Sequence, residues 1–184
     1  GFAYNLKYSY TGQEFNPGVG FVQMAGVQSV NGELMYGWIP GVNSRIFSYN
    51  VKLKGRRYTR LEDGKLENMK LSPEFEFNTK QGIHGVISLD LEREGVLNEF
   101  KLSDSIMIKA GEYSFMGFDG EFGTPDSRIL SAEGSIYAGQ FYNGTRVGYS
   151  MGPNLNISSS IRLSAMYIFE ALRFPGTVPG NALN

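Results

Sequence analysis

Few groups in this chain could do covalent chemistry. Cysteine is absent and His84 is the single histidine. A thiol nucleophile and a disulfide framework are therefore excluded, and His84 is left as the one obvious nitrogen ligand for a transition metal. His84 followed by Ser88 suggests a lipid hydrolase, since outer-membrane enzymes of that kind use a Ser and a His. In an extended strand, however, the two side chains share a face while lying several ångströms apart along it, and no carboxylate is placed to orient the ring. A structural or solvated histidine is the better reading. The acids Glu74, Glu76, Asp90 and Glu92 could form a cation site or a glycosidase pair. With Lys52, Lys54 and Lys70 on neighbouring segments, a ladder of salt bridges explains them better. Asn143-Gly144-Thr145 and Asn156-Ile157-Ser158 match the glycosylation sequon, but a turn and a strand account for them.

These charges alternate with apolar residues, and that alternation predicts the elements that carry them. The chain has 184 residues, 24 glycines and 14% aromatics, values that suit one turn-rich β domain. No apolar run is long enough for a transmembrane helix, while a membrane β-barrel is compatible with the mean hydropathy of -0.23. The net charge of -1 argues against a nucleic-acid partner. Residues 2 to 11 form the first predicted strand. A Gly- and Pro-punctuated connection over 12 to 29 follows, in which Val19 to Gln23 start the next strand. The second strand covers 30 to 39, and the third runs from Ile46 to Leu61. Glu62-Asp63-Gly64, with Gly64 left-handed, turns the chain and sets Lys52 opposite Glu74 and Arg56 opposite Lys70. Pro73 predicts a bulge in the fourth strand. Lys80-Gln81-Gly82 leads into the fifth, in which Glu92 faces Lys70.

Residues 95 to 111 read as a second long connection, and 112 to 122 as a strand whose face is ambiguous, because Tyr113 and Phe115 compete with Met116 and Phe118. Thr124-Pro125-Asp126 is a turn. Asn143-Gly144 predicts a two-residue loop pairing Tyr142 with Thr145, which sets Ala138 opposite Tyr149 and Ile136 opposite Met151. A turn at Ser158 to Ser160 precedes a ninth strand over 161 to 169, with Leu155 opposite Leu163 and Met151 opposite Tyr167, and an irregular tail runs from Pro175.

One face of this series is apolar and the other polar. Because successive strands reverse, Phe2, Tyr4, Tyr36, Trp38, Phe47, Tyr49, Phe75 and Phe77 gather at one end of the apolar face. Tyr8, Tyr10, Tyr149, Tyr167 and Phe169 gather at the other. Aliphatics such as Leu6, Leu34, Val51, Leu53, Leu71, Ile87 and Leu163 fill the band between. Two aromatic girdles around an aliphatic band of roughly 25 Å are the pattern of a lipid-facing barrel wall. The polar face, with Lys52, Lys54, Lys70, Glu74, Glu76, Asp90 and Glu92, then becomes the lumen. Connections at the Trp38 end are short and the two long ones lie at the other end, as in bacterial barrels. Arg93 is the one charge expected on the apolar face, at a depth from which it could snorkel to lipid phosphates.

Four segments carry a family resemblance: EFNPGVGFVQ at 14 to 23, YGWIPG at 36 to 41, IKAGEYSF at 108 to 115 and AGQFYNGTR at 138 to 146. In order and spacing they resemble the C-terminal β-barrel domain of unknown function in outer-membrane proteins of Gram-negative bacteria, which follows a domain similar to family 9 carbohydrate-binding modules. The resemblance implies a location in the bacterial outer membrane and lipid as a partner. It also implies an anchoring or porin-like transport role, with carbohydrate reached through the domain missing here, and it offers no catalytic residues to carry over. The expectation is an all-β, antiparallel transmembrane β-barrel meander, an incomplete fragment of about nine strands over residues 1 to 184, non-enzymatic and without a cofactor. The alternatives are a soluble lipocalin-like barrel that binds an apolar ligand on its apolar face, and a lipid hydrolase using His84.

Overall fold

Alternation of apolar and polar side chains favours extended backbone, because only a period of two puts every apolar residue on one surface. The computed structural model, which describes residues 1–13, 25–103, 106–158 and 160–175, consists of strands joined by short turns. In order these are β1 (Phe2–Thr11), β2 (Val27–Trp38), β3 (Ile46–Arg60), β4 (Leu66–Thr79), β5 (His84–Val96), β6 (Phe100–Ser103), β7 (Ile106–Ile108), β8 (Gly111–Gly123), β9 (Leu130–Phe141), β10 (Gly144–Ser158), β11 (Ile161–Ser164) and β12 (Tyr167–Arg173). No helix among the described residues is long and apolar enough to cross a membrane.

The main sheet is an antiparallel meander in the order β1-β2-β3-β4-β5-β8-β9-β10-β11, with β12 also on β10. β11 and β12 are two parts of one predicted strand. Leu155 lies opposite Leu163 and Met151 opposite Tyr167, so both parts keep the same register on β10. The interruption falls beside Pro153, which has no N–H to give the neighbouring strand; its carbonyl still accepts from the Ala165 N–H at 3.1 Å. Among the described residues the sheet does not close: there β1 pairs only with β2, and β11 and β12 only with β10.

Several expectations need correction. The segment from 95 to 111 contains the hairpin β6–β7, with Phe100 opposite Ile108. The second strand starts at Val27, three residues earlier than its alternation suggests. The proposed strand start at Val19 to Gln23, the EFNPGVGFVQ segment and the tail beyond residue 175 lie outside the described residues. Pro73 produces no bulge. Leu53 pairs with it in unbroken register, and the β4–β5 pairing skips from Leu71–Leu91 to Glu74–Ser88 without a shift. The missing proline N–H costs local pairing and leaves the alignment intact.

The register of the β9–β10 hairpin also differs. Phe141 lies opposite Gly144, so Tyr149 faces Ile136 and Val147 faces Ala138. The loop is Tyr142-Asn143, and Tyr142 is the one described non-glycine residue with positive φ, at 50°. A displacement by an even number of residues leaves each side chain on its expected face. The ambiguous strand resolves with Met116 and Phe118 on the apolar face, opposite Leu91 and Leu89, and with Tyr113 and Phe115 on the polar one.

The two faces differ in crowding. Polar-face Ser29, Ser72 and Ser131 are 4%, 7% and 2% exposed, whereas many apolar-face side chains are exposed, up to 76% at Tyr4, with Leu71 and Phe77 intermediate. Side chains on the inside of a curved sheet converge and those on the outside splay, so the sheet curls around its polar face. The buried apolar residues among those described are Val27, Ile108 and Phe115.

Candidate functional site

The polar face of β3, β4 and β5 carries the predicted ladder of charges. Its register sets Lys52 opposite Glu74, Arg56 opposite Lys70 and Lys70 opposite Glu92. The shortest ion contacts run diagonally. Lys52 Nζ lies 2.6 Å from Glu76 and 3.2 Å from Glu74, and Lys54 Nζ lies 2.7 Å from Glu74. Lys70 Nζ is 2.7 Å from Asp90 but 3.7 Å from Glu92. Lysine stems lean along the strand, so the ammonium reaches the acid one pair further on. Ser72 donates to the second oxygen of Asp90 at 2.7 Å. Glu74 retains only 10% side-chain exposure, so removing Lys52 or Lys54 would leave a nearly buried charge short of a partner.

Beside the ladder, between β1 and β4, the polar face forms an open hollow of ≈ 470 Å³. It is lined by Lys7, Lys54, Arg56 and Lys70, by the amides of Asn5 and Asn31, and by one acid, Glu33. Sequence reading named Lys54 and Lys70 and missed Lys7 and Arg56 as parts of a site. Their signal was positional: Lys7, Asn31, Arg56 and Lys70 form one transverse row across four strands.

A second inward cluster occupies the end of the sheet at the β9–β10 loop. The Tyr142 ring stands edge-on to Phe141, Tyr113, Phe115 and Phe100, with centroids 4.9, 5.0, 5.2 and 5.9 Å away. Its hydroxyl donates to Glu94 Oε2 at 3.2 Å. Burial, reinforced by the charge of Glu94, pushes the Tyr142 phenol up to about 12. Phe100 belongs to β6, so the short hairpin contributes a ring to this nest. The competing apolar positions of 112 to 122 were the sequence signal for it.

His84 lies opposite Asn78 and Gly123, its imidazole occupying the space a Cβ on Gly123 would fill. No hydrogen bond among the described residues joins it to Ser88 or to a carboxylate, and no group of metal-ligating side chains occurs among them. Further along the polar face, the Tyr137 hydroxyl lies over the paired Gly117 and Gly139, where a Cβ on either would come within 2.7 or 2.8 Å of it. The Arg146 guanidinium stands 5.2 Å above the Tyr137 ring.

On the apolar face the rings form separate groups. Tyr36, Trp38, Tyr49 and Phe75 make a chain of contacts at 6.0, 5.1 and 5.7 Å, and Phe2 meets Tyr4 at 6.2 Å. Tyr149 contacts Tyr167 and Phe169 at 5.8 and 5.1 Å. Phe47 is exposed beside the first group, Phe77 lies opposite Tyr49, and Tyr8 and Tyr10 stand at the far end of β1. Arg93 shares its transverse row with Arg57, through Met69 between them. Arg57 is thus a second cation on this face, readable from its parity with Leu53. Arg93 pairs with Glu112 on β8.

Searches of protein-family models, of curated proteins and of solved structures find no match to the chain.

Proposed function

We propose that the chain is part of the wall of a transmembrane β-barrel in a bacterial outer membrane, without enzymatic activity, with an anchoring or conducting role. One observation carries the reading. A continuous face of aliphatic and aromatic side chains lies uncovered, while the opposite face is crowded, charged and ion-paired. Water-soluble chains seldom leave apolar patches beyond a few hundred Å², and lipid is the solvent that such a face fits. Arg57 and Arg93 lie on one row towards the far end of β1, at a depth from which their stems can stay in hydrocarbon while their heads reach phosphates. The resemblance to outer-membrane barrel domains adds the link to carbohydrate, through a separate domain.

The soluble, lipocalin-like alternative requires the apolar face inside the curve, and the crowding of Ser29, Ser72 and Ser131 speaks for the reverse. A hydrolase would need a nucleophile and an orienting acid at His84. The single tryptophan, Trp38, sits 40% exposed in one aromatic group and provides the test. The 184-residue chain, refolded into vesicles with lipids brominated at defined depths, should show Trp38 quenched most by bromines near the head groups. A chain that folds as a monomer without detergent, with Trp38 unquenched in the vesicles, would sink the membrane reading.

A further inference from the structure

We propose that the hollow between β1 and β4 is a binding site for a small organic anion, whose phosphate or carboxylate group is held by Arg56. The site belongs to the polar face whichever solvent meets the other face, so it does not rest on the membrane reading.

Charge separation across the sheet is the first ground. Towards β1 the polar face presents Lys7, Lys54, Arg56 and Lys70 with one acid, Glu33, among the residues lining the hollow. Towards β8 it presents Asp90, Glu92, Asp119 and Glu121. Arg56 and Lys70 lie directly opposite each other, a like-charge pair that destabilises a sheet; the Glu92 carboxylate faces both heads only at 3.6 and 3.7 Å, beyond hydrogen-bond reach, and offsets that repulsion in part.

Unspent donors are the second. Lys70 and Lys54 are each held from the far side by an acid at 2.7 Å. Arg56 is not: Glu92 stands 3.6 Å from its Nη2, and the guanidinium makes no hydrogen bond among the described residues. Lys7 has no ion-pair partner among them. A half-exposed guanidinium that faces one carboxylate at 3.6 Å and donates no hydrogen bond is well suited to take a carboxylate or phosphate through two parallel hydrogen bonds. Lys7 and the amides of Asn5 and Asn31 lie on the β1 side of it. A hollow of ≈ 470 Å³ falls in the size range of small-molecule sites and leaves room for more than a bare inorganic ion. Glu33, opposite Lys54 in register, confines the anionic group to the Arg56 side.

The test is direct binding to the refolded 184-residue chain at low salt, with inorganic phosphate in one arm and succinate in the other. Saturable binding of either anion is expected, weakened about tenfold or more in Arg56→Gln, as the loss of a bidentate charged contact implies. It should be weakened less in Lys7→Gln and unchanged in Lys65→Gln, a cation on an exposed turn outside the hollow. Preference for phosphate identifies a phosphorylated ligand, and preference for succinate a carboxylate; both support the site. Lys7→Gln on the edge strand has no ion pair to lose, so it reads the site even where Arg56→Gln fails to refold. Absence of saturable binding in both arms, binding indifferent to Arg56→Gln and Lys7→Gln, or equal loss in Lys65→Gln would overturn the proposal.

Discussion

The β3–β4 turn and the β9–β10 turn are both short, and both carry a sequence signal for their geometry, yet only the first obeys it. In the β3–β4 turn Gly64 takes φ 68° and donates to the Arg60 carbonyl at 3.1 Å. The Arg60 guanidinium grips both oxygens of Asp63 at 3.1 Å, and Asp63 accepts from the Lys65 N–H at 3.0 Å. Apart from the Leu61 N–H, which donates to the Gly26 carbonyl at 2.9 Å, these partners are within a few residues. In the β9–β10 turn the Asn-Gly pair is passed over, and Tyr142 takes the left-handed conformation at a cost of about 1–3 kcal/mol. What offsets that cost comes from far away in sequence: rings on β6 and β8 and a carboxylate on β5. A turn follows local chemistry when its side-chain partners lie within a few residues, and loses to tertiary packing when a cluster built from distant strands can bury one of its side chains.

The largest effect that could break this contrast is Tyr142→Ala. It empties the centre of the nest and should cost about 3 kcal/mol in denaturant unfolding, as large-to-small aromatic changes do. It should also release the hairpin to the Asn143-Gly144 turn, with Ala138 opposite Tyr149. Cross-strand NMR contacts report the change, and an unaltered register would mean that the nest does not set it. Gly64→Ala comes next, at about 1–2 kcal/mol, because the site has open space around a Cβ and only the backbone objects. A larger loss would show that this turn too depends on distant packing.

Tyr142→Phe should cost about 1 kcal/mol, the usual net value of one hydrogen bond, and it sharpens the comparison through pH. The fold holds the Tyr142 phenol neutral with its value raised to about 12. Its support is therefore fully present below the ordinary tyrosine value near 10 and lost as pH rises from about 10 toward about 12. A late tyrosinate step in ultraviolet titration, missing in the Phe variant, is the expected reading. Asp63→Asn should have the smallest effect, confined to faster exchange of the Lys65 amide. The Arg60 guanidinium holds the Asp63 carboxyl below the usual range. That contribution is thus present above the ordinary carboxylate value and lost as pH falls through the lowered one.

Much of the polar site was legible. Period-two alternation assigned Lys52, Glu74, Lys70 and Glu92 to one face. The turn at Gly64 leads to the pairing Lys52–Glu74 only through a one-residue register shift between Tyr58 and Thr59, whereas Gly82, with φ 80°, sets the register of β4 and β5 without one. Which acid each lysine grips was not legible, since Glu74, Glu76, Asp90 and Glu92 all lie within reach of a four-carbon stem and only the lean of the side chains decides. The hollow was invisible because its parts, Lys7, Arg56 and Lys70, lie far apart in sequence and meet only through the pairing of four strands.

By itself the sequence determined the all-β meander, the division of its faces and the grouping of aromatics on one of them, because each follows from a period of two and from turn residues a few positions apart. The tertiary structure alone decided the β9–β10 register, the inward turn of Tyr113 and Phe115, the folding of β6–β7 onto the aromatic nest and the curl around the polar face. In each of those, contacts among residues distant in the chain outweigh a local preference worth about 1 kcal/mol.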